Sequence, residues 1–162
     1  MNKMPRTREV EQLLTIIDQA YDQHSWHGPN LRGAIRGISL QQAAWKPAPA
    51  RHNIWEIVVH AAYWKYVVWR RLTGADRGSF PLKGSNWFAR PQNATAAAWR
   101  SDVALLGRAH RSLREAIGHL SAREVRHTPA GSTVSNFSLV TGIAAHDLYH
   151  AGQIQLLKRL VP

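Results

Sequence analysis

Four stretches of the chain repeat apolar residues at the three- and four-residue spacing of an amphipathic helix, and the strict alternation typical of strands is scarce. Each such helix must bury one apolar stripe against the others. The pattern therefore predicts an all-α protein, a four-helix bundle in one domain covering residues 1–162. The predicted long helices cover about Arg6–His24, Asn53–Thr73, Thr95–Leu120 and Asn136–Leu160, with a shorter piece at Leu31–Ile38.

Capping residues mark several of these ends. Thr7 or Asn2 is suited to begin the first helix, Asn53 to begin the second, and Gly74 to end it. The connection from Gly74 to Ala94 is long for a compact bundle, and such loops often act as lids. Because it contains three large aromatic residues, we expect part of it to pack over the helices: Phe80, Trp87 and Phe88.

Three histidines fall on predicted inward faces. At about 100° per residue, His150 lies near 40° from His146 and Gln153 near −20°, within the apolar stripe of the fourth helix. His60 projects from the inward stripe of the second helix in the same way. Two interpretations stay open: hydrogen-bonded core histidines, or three ligands of one divalent ion with open positions for water and substrate. His110, on the inward stripe of the third helix, is assigned to the core or to support of that site.

Several polar residues lie next to these histidines in the sequence. Glu56 comes one turn before His60, and Asp147 and Tyr149 follow closely after His146. Each is a candidate to orient a ligand or to move a proton during catalysis.

The chain has no cysteine. This excludes disulfides, a thiolate nucleophile and iron–sulfur clusters, and any thiol in the reaction must come from outside. No apolar run approaches the roughly 20 residues that span a bilayer, and residues 1–10 lack the apolar stretch of a secretory signal. A cytoplasmic protein without membrane contact is the expectation.

The charge is strongly positive, with 21 Lys+Arg against 10 Asp+Glu, a formal net charge of +11. Such a field attracts anions. The basic residues are dispersed along the chain, whereas nucleic-acid-binding proteins usually show clustered basic patches, so the sequence argues against nucleic acid as a partner. A small anionic substrate suits the field, with Arg71 near the His60 face as a candidate contact.

Two segments resemble the DinB-like proteins, which are related to YfiT-like bacillithiol transferases and mycothiol-dependent isomerases. They are HNIWEIVVHAAYWKYVVWRRLTG, which contains His60, and AAHDLYHAGQIQLLKRL, which contains His146 and His150. The similarity covers most of the chain, including AAWKPAPARHNIWEIV and RGSFPLKGSNWF. One mid-helix histidine followed by a late His-Asp-Leu-Tyr-His-Ala-Gly-Gln-Ile is a specific combination.

The resemblance implies a four-helix bundle, often dimeric, with a zinc- or nickel-type ion on His60, His146 and His150. Two enzymatic functions follow for a small-molecule substrate. In the first, the ion activates a low-molecular-weight thiol for transfer or isomerisation; in the second, it activates water for hydrolysis. A basic nucleic-acid-binding bundle with a structural metal is a third possibility, of a different class.

Apolar residues opposite the histidines predict a homodimer, because outward apolar patches suggest a partner surface. The residues concerned are Trp55, Val58, Ala62 and Trp69 on the second helix and Ala144, Leu148 and Ala151 on the fourth.

Overall fold

The computed structural model describes residues 6–91 and 93–162, and within these ranges it contains seven helices and no strand. The all-helical class predicted from the sequence is confirmed for this part of the chain. The helices are α1 (Arg8–Tyr21), α2 (Leu31–Ile35), α3 (Leu40–Ala44), α4 (Ile54–Thr73), α5 (Ala96–Gly118), α6 (Ala122–Arg126) and α7 (Asn136–Leu160).

Each of the four long helices has a polar N-cap residue, as the sequence predicted for α1 and α4. The Thr7 hydroxyl accepts a hydrogen bond from the backbone of α1, while Asn2, the other candidate, lies outside the described residues. Asn53 caps α4 in a reciprocal arrangement with the Glu56 side chain. Gly74 ends α4 in the left-handed conformation, with a φ of 70°, which glycine adopts without steric cost.

The four long helices contact one another in a ring: α4 packs on α5 and α7, and α1 packs on the same two helices from the other side. The short helix α2 lies mainly against α7. Two apolar clusters fill the interior. One gathers residues of α2, α4 and α5 together with the C-terminal part of α7, and the other joins α1 to the N-terminal part of α7.

The sequence predicted some helix boundaries wrongly. The first helix ends at Tyr21, so His24 lies outside it and is exposed rather than part of the buried stripe. The piece predicted at 31–38 ends at Ile35, because Gly37 then takes a φ of 72° and turns the chain. The short helices α3 and α6 were not predicted; each is a single turn capped by a serine and lacks a repeating apolar stripe.

No helix or strand lies in the described residues between Thr73 and Ala96, and this segment lies over α4. Phe88 is buried in the larger apolar cluster, and Phe80 and Trp87 pack against it, as expected for the aromatic residues of the loop. The Asn53 amide donates a hydrogen bond of 2.8 Å to the Arg90 carbonyl, which ties the loop to the start of α4.

The apolar residues predicted to form an outward dimer patch are inside the chain. Trp55, Val58, Ala62, Ala144 and Ala151 are all at most 2% exposed, and the remaining two residues, Trp69 and Leu148, pack against the smaller cluster. The reason is that α4 lies between α5 and α7 and is covered on more than one face. The prediction of an outward apolar patch is therefore wrong. The homodimer itself is not tested by this finding and stays a prediction. None of the helices in the described ranges is long and apolar enough to cross a bilayer.

Candidate metal centre

Three imidazole rings from two helices converge on one point. The Nε2 atom of His146 lies 3.1 Å from Nε2 of His60 and 3.1 Å from Nε2 of His150. Nitrogen atoms of all three rings lie within 4.8 Å of one another. His60 comes from the middle of α4, and His146 and His150 follow one another by one turn of α7, so the packing of α4 on α7 assembles the cluster.

Two of the rings are held through their other nitrogen. The Nδ1 of His60 donates to the backbone carbonyl of Asn86 at 2.8 Å, and the Nδ1 of His150 donates to Oε1 of Gln153 at 2.7 Å. The Gln153 amide nitrogen in turn donates to the Tyr149 hydroxyl at 3.0 Å. Since a carbonyl oxygen only accepts, both Nδ1 atoms carry the proton, and the Nε2 lone pairs face the cluster.

The surroundings favour neutral rings. Burial, together with the neighbouring His150 and His60, lowers the pKa of His146 to about 3. Burial lowers the pKa of His150 to about 4 against the opposing hydrogen bond with Gln153, and burial also lowers the pKa of His60. All three imidazoles are therefore unprotonated at neutral pH, the form in which histidine binds a metal.

Hydrogen bonding within the protein does not satisfy this cluster. If His60 and His150 hold their protons on Nδ1, then His146 offers at most one proton to two facing lone pairs. The Nδ1 of His146 is also buried without a partner among the described residues. A divalent cation bound by all three Nε2 lone pairs would remove the need for a proton between them. Two nitrogens that bind one tetrahedral zinc at about 2.1 Å lie about 3.4 Å apart, close to the 3.1 Å found here. The residues present thus fit such an ion.

An aromatic wall closes one side of the cluster. The Trp87 ring stacks on His60 with centroids 3.8 Å apart, and His52 stacks on the other face of Trp87 at 3.6 Å. His52 Nδ1 lies 3.1 Å from a carboxylate oxygen of Glu56. Sequence reasoning missed His52, Trp87 and Asn86 as parts of the site, since loop residues carry no helical period. Gln153 was placed on the right face but without a role.

Two of the predicted catalytic residues do not contact the three histidines. The Glu56 carboxylate binds Lys46 at 2.7 Å, His52, and the backbone at the start of α4. Burial raises its pKa, but these hydrogen bonds outweigh burial and hold the pKa below its usual value. Asp147 is fully buried in an ion pair with Lys65, and burial raises its pKa to about 6 despite that partner.

The other candidates lie at the edges of the site. Tyr149 is 64% exposed and lines the same cleft as His150. Arg71 shares a small cleft with His146, and its Nε is buried without a hydrogen-bond partner among the described residues. His110 lies in the core, stacked on Tyr21 at 3.7 Å, and burial lowers its pKa to about 2; it does not belong to the converging group.

Two clefts reach the cluster from different sides. A largely apolar cleft of about 540 Å³ is lined by His150, Trp87 and the leucines of the last two turns of α7. A smaller cleft of about 170 Å³ has His146 on its wall, between α4 and the first half of α7. Two of the three histidines, His150 and His146, thus each line a cleft that is open to solvent.

A family model for the DinB superfamily matches residues 23–154, most of the chain, including all three histidines. No curated protein and no solved structure matches the chain.

Proposed function

The chain belongs to the DinB superfamily, and we propose that it is a divalent-metal-dependent enzyme that transfers or isomerises small substrates with a low-molecular-weight thiol. The observation that carries the proposal is the convergence of the three Nε2 atoms of His60, His146 and His150. We further propose that the ring of contacts among α1, α4, α5 and α7 is the expected four-helix bundle.

The protein supplies three neutral histidine ligands and the residues that hold two of them in place. A divalent zinc or nickel ion on three neutral imidazoles keeps its full positive charge, which favours the thiolate form of a thiol and polarises water. Asn86 and Gln153 hold two of the rings with their lone pairs directed inward. Because the chain has no cysteine, the nucleophilic sulfur must belong to a cosubstrate.

Thiol transfer is favoured over hydrolysis by the position of the carboxylates. A metal-dependent hydrolase commonly uses a nearby carboxylate as the general base for water. Among the residues that the structure describes, the converging group contains no carboxylate, and Glu56 and Asp147 are engaged with Lys46 and Lys65. A thiol is far more acidic than water and needs no such base when its pKa is lowered.

The apolar cleft suits the carbon skeleton of an uncharged electrophile. His150 lies on its wall, and much of the rest of the wall is apolar: Ile57, Trp87, Leu156, Leu157 and Leu160. An apolar group placed there brings its reactive atom next to the His150 ring. We therefore propose a transfer in which a sulfur–carbon bond forms and a leaving group departs.

Loss of free thiol measures this activity. The zinc- or nickel-loaded protein is incubated with chlorodinitrobenzene and, in turn, cysteine, glutathione or coenzyme A. In the productive reaction a sulfur–carbon bond replaces the carbon–chlorine bond, chloride leaves, and the thiol proton passes to the solvent. We expect turnover that needs the metal, is lost in His150→Ala and is kept in His119→Ala. Turnover of esters or amides without thiol, and none with any thiol, would instead assign the hydrolase.

A further inference from the structure

A third cleft, next to the one that reaches His146, is strongly basic. It has a volume of about 580 Å³ and lies between the second half of α4 and the loop that follows. Four cationic side chains line it: Arg70, Arg71, Arg77 and Lys83. Four aromatic residues also line it, namely Tyr63, Trp64, Tyr66 and Phe80, and no acidic residue of the described chain does.

These four cations have no counter-ions within the described residues. The ion pairs in the described part of the chain involve other basic residues, for example Lys46 with Glu56 and Arg114 with Asp18. Arg71 has, in addition, a buried Nε without a hydrogen-bond partner. Like charges gathered around one cavity repel each other, and a bound anion both removes this repulsion and satisfies the unpaired donors.

The basic cleft adjoins the small cleft that reaches His146. The small cleft that reaches His146 shares Trp64, Val67 and Arg71 with it. The Trp64 ring lies 6.3 Å from the His60 ring and 6.5 Å from the His146 ring, and its Nε1 donates to the Asn86 side chain. A ligand anchored among the cations can therefore extend past Trp64 towards His146, whereas the apolar cleft approaches from the side of His150.

We propose that this basic cleft binds the anionic part of the thiol cosubstrate, a small molecule with at least two carboxylate or phosphate groups. The inference rests on the proposed function, because it assigns the cosubstrate of the same site. The two substrates then enter by different clefts: the anionic thiol binds beside His146, and the uncharged electrophile binds beside His150. The aromatic walls add contact area for the skeleton that joins the charged groups.

Binding of a fluorescent tetra-anion, pyrenetetrasulfonate, tests the cleft without any need for catalysis. Fluorescence anisotropy is measured with metal-free and with zinc-loaded protein. Arg77→Gln/Lys83→Gln removes two exposed charges of the cleft, and Arg8→Gln/Arg123→Gln removes two exposed charges of α1 and α6 that line none of these clefts, as a matched control. We expect about tenfold weaker binding in the first pair and a much smaller change in the control, with or without metal. Tricarballylate should displace the probe.

The same variants separate the cosubstrate role from simple anion binding. In the metal-loaded enzyme, Arg77→Gln/Lys83→Gln should raise KM for glutathione, which carries two carboxylates, and leave KM for 2-mercaptoethanol unchanged. Equal loss of probe binding in both double variants would overturn the inference in favour of a general surface field. If the cleft binds the probe while the protein takes up no metal, the proposed function fails and a polyanion site remains. If metal-dependent thiol transfer occurs but KM for both thiols is unaffected, the cosubstrate assignment fails alone.

Discussion

Replacing Gln153 with leucine tests whether the hydrogen bond to His150 prepares the ring for a metal. The Nδ1 proton of His150 is donated to Oε1 of Gln153 at 2.7 Å, and leucine has a similar size but no acceptor. Without that acceptor, the proton can move to Nε2 and the ring can rotate, both of which oppose metal binding. Gln153 is thus a positioning residue in this account.

The expected loss follows from the geometry. Removing a hydrogen-bond partner of a metal-binding histidine typically lowers metal affinity about 10- to 100-fold, or about 1.4–2.7 kcal/mol. Gln153 is only partly buried, so water can replace part of the bond, and we expect a loss near about tenfold. Tyr149→Phe removes only the acceptor of the Gln153 amide, and because Tyr149 is 64% exposed we expect about twofold or less.

Competition for zinc with a chromophoric chelator measures these affinities, with His150→Ala as the reference for loss of the ligand itself. Thermal unfolding of the metal-free proteins confirms that the variants fold. Zinc affinity in Gln153→Leu equal to that of the parent protein would show that the hydrogen bond has no such role. An affinity as low as that of His150→Ala would show that the substitution damages the helix rather than the orientation of one ring.

Two further predictions concern the groups buried beside the site. Lys65→Met leaves the Asp147 carboxylate buried without its partner and should lower the free energy of unfolding by about 3–5 kcal/mol. Lys65→Met/Asp147→Val should recover most of that loss, as measured by urea unfolding. Equal destabilisation of the two variants would contradict this explanation. The pKa of Glu56 is held below its usual 4.5, because its hydrogen bonds outweigh its burial, so the folded state favours the carboxylate. The ionised carboxylate therefore stabilises the fold above pH 4.5, and this stabilisation is lost as the pH falls through the lowered pKa. Glu56→Gln should accordingly reduce the difference in Tm between pH 7 and pH 4. An unchanged difference in Tm would show that the carboxylate contributes nothing.

The helices that position the histidines could be predicted because local signals mark them. Asn53 and Gly74 bound α4 where the sequence suggested, and the helical spacing placed His60, His146 and His150 on inward faces that the structure confirms. Capping and helical periodicity act over a few residues, so one sequence is enough to detect them.

The contacts around the histidines could not be predicted because they join residues far apart in the chain. The Trp87 ring that stacks on His60 comes from a loop, whose path depends on the finished packing of α4. The Lys65–Asp147 pair connects two helices across 82 positions, so Asp147 was considered as a catalytic group. The basic cleft, too, exists only after the loop folds back on α4 and brings Arg77 and Lys83 to Arg71.

The most direct test of the central claim is the metal content of the protein purified without a nickel column. Elemental analysis should find about one divalent ion per chain in the parent protein and in His119→Ala, a surface control. His60→Ala, His146→Ala and His150→Ala should each lose the ion while keeping the helical circular dichroism spectrum. A parent protein that binds no zinc or nickel even when these are supplied, or three variants that keep the ion, would contradict the assignment of this cluster as a metal centre.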